Sequence, residues 1–234
     1  MDRYVPRMSE ERIARLRRWH DRAAAELRAL GAHDVDHLGL RLHVPDGVFP
    51  PQPMSRLLGG AVLDESRAED RVLDMGTGCG VNAILAARNG ARVVATDVNP
   101  TAVAAARRNA TAAGVSGLVE CRVGDLFDAA PERFDLIVFD PPFRWFAPAD
   151  MFERAFADDG YDTLGRFFEQ VGEHLEPGGR VLLFFGTTGD VDHLHGLVAS
   201  AGLTCEVLST AGLDKDGGVE TYWAFRLRSA RLPP

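Results

Sequence analysis

Residues 72–81 read VLDMGTGCGV, an apolar run followed at once by three glycines in alternate positions. The run is typical of a buried strand, and Gly76, Gly78 and Gly80 let the backbone turn tightly into the next element. Apolar residues at helical spacing resume at Val81. We therefore expect a strand, a glycine turn and a helix N-terminus where a ligand can approach the backbone closely.

Strands and helices alternate after this unit, as in α/β proteins. We predict strands over 71–75, 92–96, 118–123, 134–139, 180–185, 204–208 and 221–227, and helices over 81–88, 100–113, 162–174 and 190–200. The last two strands are joined without a helix, through residues 214–218, so one of them must run antiparallel. The sequence therefore predicts an α/β fold with a doubly wound, mostly parallel, Rossmann-like sheet of seven strands.

The residues before this sheet predict an N-terminal extension over 1–54. Ser9 is placed to cap a helix that carries apolar residues at helical spacing and ends at Gly31. Leucines alternate after Asp36, and Pro45-Asp46-Gly47 is typical of a tight turn, so we expect a short hairpin there. Ser55 is then expected to cap a helix over 56–63 and to begin the main domain, residues 55–234.

Composition limits the classes of protein to which the chain can belong. The 234 residues are 46% hydrophobic and 26% charged, without an apolar stretch long enough for a membrane span or an export leader at the N-terminus. Three scattered cysteines form no CxxC pair, and the histidines near residue 40 match no standard metal site. We expect a soluble cytoplasmic protein without a membrane partner or a bound metal; oligomeric state is not readable.

The balance of charge is not the one that is typical of a nucleic-acid-binding protein. The net charge is −8, and residues 1–30 carry eight arginines against five acids, which leaves the rest of the chain strongly acidic. Proteins that bind phosphate backbones usually present a basic face. We favour the interpretation that the arginines of the N-terminal helix form a solvent-exposed face over one in which they contact nucleic acid.

Carboxylates at the predicted strand ends indicate which ligand the glycine turn holds. The glycines are spaced GxGxG, and Val81 stands where a dinucleotide site would carry its last glycine. Asp74 would repel a pyrophosphate but attract the cationic end of S-adenosylmethionine. Asp97, 19 residues after Gly78, has the spacing of an acid that binds ribose hydroxyls, and Asp125 can accept from the adenine amine.

Residues 139–143, FDPPF, follow an apolar strand and are therefore expected at the carboxyl edge of the sheet, where α/β proteins bind ligands. The Asp140 carboxylate and the rigidly held Pro141 carbonyl can accept both hydrogens of an amide or a ring-attached NH2. This would turn the nitrogen lone pair toward a methyl donor. Pro142 completes the motif, and Phe143 can stack on a planar acceptor.

These stretches resemble the class I S-adenosylmethionine-dependent methyltransferases over about residues 56–228. DMGTGCG, ATDVNP, VGDLF, FDPPF and LEPGGRVLLFF are similar to successive motifs of that family. The resemblance implies an S-adenosylmethionine-binding catalytic domain over 55–234 and a cofactor set of Asp74, Gly76, Thr77, Gly78, Gly80, Asp97, Val98, Asp125 and Leu126. The catalytic motif would be Asp140, Pro141, Pro142 and Phe143.

Residues 48–58, VFPPQPMSRLL, resemble the lead-in of the release-factor glutamine methyltransferases and of the related small-domain ribosomal RNA guanine methyltransferases. The chain differs from the glutamine enzymes in having Asp140 where they carry Asn, and a shorter N-terminal part. After the motif, Arg144, Trp145 and Phe146 open a long aromatic loop that is either an exposed patch or a lid docked on the sheet edge. We expect these three residues to shape the acceptor pocket.

Three functions stay open at this point. The first is N-methylation of a planar amine or amide in an RNA base or a protein side chain. The second is methylation of a small metabolite on nitrogen or oxygen, and the third is a non-catalytic cofactor-binding subunit, which would not need the FDPPF motif. A wide arginine-lined groove at Asp140 would favour a macromolecular acceptor, and a closed aromatic pocket would favour a small one.

Overall fold

The structure is a computed structural model that describes residues 4–215 and 218–230. Its helices are α1 (Glu10–Ala29), α2 (Arg56–Glu65), α3 (Val81–Arg88), α4 (Pro100–Ala112), α5 (Asp162–His174) and α6 (Val191–Ser200). Its strands are β1 (His33–His37), β2 (Leu40–Val44), β3 (Arg71–Met75), β4 (Arg92–Asp97), β5 (Val119–Val123), β6 (Phe134–Phe139), β7 (Leu175–Gly186), β8 (Leu203–Lys215) and β9 (Gly218–Ser229).

The main sheet has seven strands in the order β5-β4-β3-β6-β7-β9-β8, and β1 and β2 form a separate antiparallel pair. Among the strands that the structure describes in the main sheet, only β9 runs against the others, because it pairs antiparallel with both β7 and β8. The predicted α/β class, the strand count and the antiparallel end of the sheet are therefore confirmed. Apolar cores fill both faces of the sheet.

The strand order reverses between β3 and β6, and open α/β sheets bind ligands at such a switch point. Met75 at the end of β3 lies beside Thr96 of β4 and Phe139 of β6. The residues that follow these three positions are therefore neighbours at one sheet edge. This register brings the glycine turn, Asp97 and Asp140 together.

The N-terminal hairpin exists, but its predicted turn is wrong. The strands β1 and β2 are joined at Leu38 and Gly39, whose φ angles of 48° and 73° make a two-residue turn. Pro45-Asp46-Gly47 follows β2 and leads the chain toward the sheet edge. Of the alternating leucines, Leu40 and Leu42 belong to β2 and Leu38 lies in the turn, whereas β1 reads HDVDH, too polar for its pattern to be read as a strand.

The last hairpin is longer than its apolar core predicts. Strands β8 and β9 stay paired from Leu203 opposite Ser229 to Lys215 opposite Gly218, past the point where β7 ends. The outer part is a two-stranded ribbon that carries small and polar residues, so apolar periodicity does not mark it. Residues 216 and 217 of the predicted connection lie outside the described residues. Among the helices of the described residues, no helix has the length and apolarity required to cross a bilayer.

Candidate active site

The glycine turn leaves open space at the sheet edge. Gly76 and Gly78 have φ angles of 68° and 54°, and a Cβ added to either would meet no atom within 4 Å. The turn is anchored to β4, because the Thr77 amide donates to the Thr96 carbonyl at 2.8 Å. The backbone is thus held in a conformation that suits glycine and exposes it to a ligand.

Asp97 closes β4 beside this turn, and both of its carboxylate oxygens accept hydrogen bonds from backbone amides. One accepts from the Gly78 amide at 2.9 Å and the other from the Asn99 amide at 2.9 Å. Burial raises the pKa of Asp97, and this effect is larger than the lowering by the hydrogen bonds. Since each carboxylate oxygen has a further lone pair, Asp97 can still accept hydroxyl groups of a ligand.

Asp74 and Gly80 support the turn from behind and do not line the cavity beside it. One oxygen of Asp74 accepts from Thr77 Oγ1 at 2.6 Å and from the Ala83 amide at 3.0 Å. Burial raises the pKa of Asp74 to about 7. A Cβ on Gly80 would lie 3.0 Å from the Ala106 Cα, so this glycine lets α3 approach α4. The direct contacts with a ligand that the sequence predicts for these two residues stay predictions, and in this structure both residues support the turn.

Asp125 lies at the end of β5 and borders the same cavity, as do Val98 and Leu126. Its carboxylate is already engaged, since Arg166 donates to Oδ2 at 2.5 Å. Arg166 also lies 3.5 Å from Asp162. An adenine amine would therefore meet a carboxylate with one oxygen committed to an arginine.

The FDPPF motif continues from β6 into the cavity. Asp140 is partly buried, and its carboxylate has no hydrogen-bond partner among residues 4–215 and 218–230. Burial, together with the nearby charge of Asp74, raises the pKa of Asp140 to about 7. Pro141 and Pro142 line the same wall. An unpaired acceptor with this pKa is suited to both hydrogen bonding and proton transfer near neutrality.

The backbone after the prolines is fixed by a tyrosine that sequence reasoning missed. Tyr161 Oη donates to the Phe143 carbonyl at 3.0 Å and accepts from the Asp190 amide at 2.6 Å. A Cβ on Gly189 would lie 2.4 Å from the same carbonyl. The Phe143 ring packs against Phe185 at a centroid distance of 5.0 Å. No local pattern marks Tyr161, because the contact depends on how α5 docks.

One cavity of about 590 Å³ joins the glycine turn to the FDPPF motif. Its acceptor side is walled by α1 and by the chain that precedes α2, including Trp19, Ala23, Leu27, Phe49, Pro50, Pro51, Pro53 and Met54. The spacing of four between Trp19, Ala23 and Leu27 puts them on one helix face, a signal that was available in the sequence. The pocket is aromatic and covered by a helix rather than an open arginine-lined groove.

Arg144 enters the same cavity as a buried cation. Its residue exposure is 9%, and its guanidinium carbon lies 3.9 Å from the centroid of Trp19 and 5.1 Å from that of Phe156. Nη1 donates to His20 Nδ1 at 3.2 Å. Burial lowers the pKa of Arg144 to about 9, so the side chain keeps its charge at neutral pH.

Trp145 and Phe146 do not line the cavity, and their expected role in shaping the acceptor pocket stays a prediction. Both are buried, and their ring centroids lie 4.9 Å apart. Phe146 also packs against His20 of α1. Burial of these two apolar rings stabilises the fold relative to leaving them in water. Of the two arrangements that the sequence left open, the loop is therefore docked and not an exposed patch.

We expect Trp145→Ala to act on stability. Truncating a buried aromatic residue leaves a cavity, and the free energy of unfolding should fall by about 3–5 kcal/mol. Urea denaturation measures this, with Met151→Ala as the control because Met151 lies in the same loop and is 41% exposed. A variant of unchanged stability that binds its acceptor less tightly would contradict this assignment.

The amino-acid sequence of the chain is similar to those of known proteins. A family model described as the methyltransferase small domain matches residues 42–194. The chain is 39% identical over 209 residues to a release factor glutamine methyltransferase of Cereibacter sphaeroides, covering 83% of this chain and 70% of that protein. It is 35% identical over 193 residues to the enzyme of that name from Bordetella pertussis, covering 74% and 70%.

A solved structure with the same fold is a 16S rRNA N2 G1207 methyltransferase of T. thermophilus in complex with AdoMet and guanosine. Its TM-score is 0.60 at 23% identity, and the match covers 85% of this chain but 50% of that one. The chain thus corresponds to about half of that structure and to 70% of each of the two glutamine methyltransferases.

Proposed function

This chain belongs to the methyltransferase small domain family, and on that premise we propose that it transfers a methyl group from S-adenosylmethionine to the nitrogen of a planar amine or amide. The observation that supports this most is the unpaired Asp140 carboxylate, one strand away from the glycine turn and in the same cavity. The relatives at 39% and 35% identity are named as glutamine methyltransferases, which act on an amide nitrogen.

The residues of the sheet edge fit the cofactor. Gly76 and Gly78 leave room for a ligand against the backbone, Asp97 has lone pairs for ribose hydroxyls, and Val98 and Leu126 border the base side. We assign Asp74 and Gly80 to holding the turn in shape. When bound, the cofactor supplies an electrophilic methyl group on a sulfonium.

The acceptor nitrogen is oriented by Asp140 and by the Pro141 carbonyl. Each accepts one N–H, which turns the lone pair of an otherwise poor nucleophile toward the methyl group and stabilises the positive charge that develops on nitrogen. Tyr161 holds this backbone through the Phe143 carbonyl. Asp140, with a pKa of about 7, then takes the proton that the methylated nitrogen loses.

Two acceptor classes have support from different observations. The relatives favour a nitrogen in a macromolecule, namely a protein side chain or an RNA base. The cavity favours a small molecule, because α1 and the proline-rich chain cover it and its charged lining is mostly acidic: Asp97, Asp125, Asp140, Asp158, Asp159 and Asp162 against Arg144 and Arg154. Such a lining repels phosphate backbones.

We also assign the described part of the N-terminal extension, residues 4–54, to the acceptor side of the site. Trp19 lines the cavity and Leu16 is buried in a core with the sheet. Ion pairs of Arg15 with Glu220 at 3.0 Å and of Arg28 with Glu153 at 3.0 Å fasten both ends of α1. The extension thus covers the pocket and is more than a solvated basic helix.

Calorimetric titration with S-adenosylhomocysteine tests the cofactor assignment. We expect saturable binding at one site per chain, since the turn and Asp97 are preformed. The absence of saturable binding would refute the proposed function. Incubation with methyl-labelled cofactor and fractionated lysate then shows whether label enters protein, RNA or small metabolites.

A further inference from the structure

Arg144 is a buried cation of the pocket whose charge no acidic residue of the described ranges balances. A buried ionised group is normally paired, because leaving water costs far more than packing returns. Arg144 is 9% exposed, yet within residues 4–215 and 218–230 no carboxylate lies within 4 Å of its guanidinium. Its Nε is buried with no hydrogen-bond partner.

His20, the hydrogen-bond partner of the Arg144 guanidinium, supplies no negative charge. His20 accepts from Nη1 through Nδ1 at 3.2 Å, and burial and the charge of Arg144 lower the pKa of His20 to about 4. The imidazole is therefore neutral at physiological pH. Glu153 lies beyond it, with Oε2 3.8 Å from His20 Nε2, and its other oxygen accepts from Arg28 at 3.0 Å.

The cation is also held in place. The Arg144 carbonyl accepts from the Asp158 amide at 2.8 Å, and Trp19 and Phe156 pack against the guanidinium. Cation–π contacts position an arginine without neutralising it. The result is a guanidinium held in place four residues after Asp140, whose Nη2 makes no hydrogen bond within residues 4–215 and 218–230 and is left for a ligand.

We propose that Arg144 binds a carboxylate of the methyl acceptor, so that the substrate of this site is a small planar amine or amide that carries one carboxylate. This deepens the proposed function and rests on it for the methyl transfer. Asp140 and Pro141 would receive the N–H side of such a molecule, and Arg144 its anionic side. A guanidinium matches a planar carboxylate with two parallel hydrogen bonds.

A carboxylate fits this site better than a phosphate or a neutral carbonyl. One arginine neutralises one negative charge, whereas a phosphate monoester carries about −1.5 to −2 and would leave charge uncompensated beside Asp140. An amide carbonyl can accept the N–H bonds but leaves the buried positive charge unbalanced.

The test uses benzoate, its neutral isostere benzamide and phenyl phosphate as probes, titrated by calorimetry with and without saturating S-adenosylhomocysteine. We expect benzoate to bind the wild-type chain more tightly than the other two. Arg144→Gln should weaken benzoate binding about 10-fold to 100-fold and leave benzamide and S-adenosylhomocysteine binding unchanged. Arg154→Gln is the matched control, because Arg154 lines the same cavity but is exposed.

Each other outcome overturns the proposal. Three of these outcomes concern the wild type: no binding of benzoate, binding of benzamide as tight as that of benzoate, or tighter binding of phenyl phosphate than of benzoate. The fourth is that the Arg144→Gln and Arg154→Gln variants lose the same amount of benzoate affinity. Should Arg144→Gln fail to fold by circular dichroism, Arg144→Lys keeps the charge without the planar fork, so it should bind benzoate more weakly than the wild type but still more tightly than benzamide. Loss of S-adenosylhomocysteine binding in the wild type would refute the methyltransferase assignment instead, while the benzoate titration without it still reports on Arg144.

Discussion

Asp140→Ala is expected to lower kcat for methyl transfer by at least about 100-fold while the affinity for S-adenosylhomocysteine stays within about twofold. The substitution removes an acceptor for the N–H of the substrate and the group that takes its proton, and general-base effects alone are worth about 10²–10⁴. Cofactor affinity is spared because the glycine turn is held by Thr96 and Asp97. Initial rates with labelled cofactor and calorimetry measure the two quantities.

Asp140→Asn separates the two roles of the carboxyl group. In the wild type, kcat/KM should rise with pH through about 7, because the carboxyl group must lose its proton before both oxygens can accept. The asparagine keeps one oxygen acceptor and does not titrate, so residual activity should lack this step. A wild-type profile that is flat from pH 6 to 8 (about one unit either side of that value), or full activity of Asp140→Ala, would remove Asp140 from the mechanism.

The raised pKa of Asp140 also makes the stability of the fold depend on pH. The direction of this dependence is opposite to that of a salt-bridged carboxylate, whose pKa is lowered. The pKa of Asp140 is raised above its ordinary value, so its contribution is greatest at low pH and is lost as pH rises through about 7. Asp74 behaves alike, because burial raises its pKa to about 7 as well. An unpaired Asp140 is thus a cost to folding that the catalytic role explains.

The elements that position the site could be predicted because each is short, apolar and sharply bounded. The predicted bounds of β3, α3, β6 and α5 are those of the structure. Each strand is an apolar run ended by a glycine or an Asp-Pro pair, and these breakers act locally. Since the carboxyl ends of parallel strands share an edge, the strand order alone brought the glycine turn, Asp97 and Asp140 together.

The surroundings of Asp74, Trp145 and Trp19 could not be predicted, because they depend on contacts between distant segments. The orientation of Asp74 is set by hydrogen bonds from Thr77 and Ala83, which exist only once the turn and α3 have formed. Trp145 was expected to shape the pocket, but its indole is buried beside the rings of Tyr4, Phe146 and Tyr161. The docking of α1 puts Trp19 into the cavity, an outcome that no motif near FDPPF indicates.

Asp97→Ala is expected to weaken S-adenosylhomocysteine binding by about 100-fold. The carboxylate is the acceptor that faces the ribose position, and a hydrogen bond to a charged group contributes about 1.5–3 kcal/mol. Asp97→Asn keeps one acceptor oxygen and should fall between the alanine variant and the wild type. Calorimetry measures all three, with Asp128→Ala as control, since Asp128 is exposed and does not line the cavity.

A loss of affinity in Asp97→Ala reports on ligand contact only if the turn survives the substitution. Two anchors make that the expected case: the Thr77 amide donates to Thr96, and Asp74 binds the turn through Thr77 and Ala83, all without Asp97. A thermal unfolding midpoint lowered in step with affinity would show that Asp97 acts as a turn brace through Gly78 and Asn99. An unchanged midpoint with the lost affinity makes Asp97 a ligand contact, because a preformed turn without its carboxylate then fails to hold the cofactor.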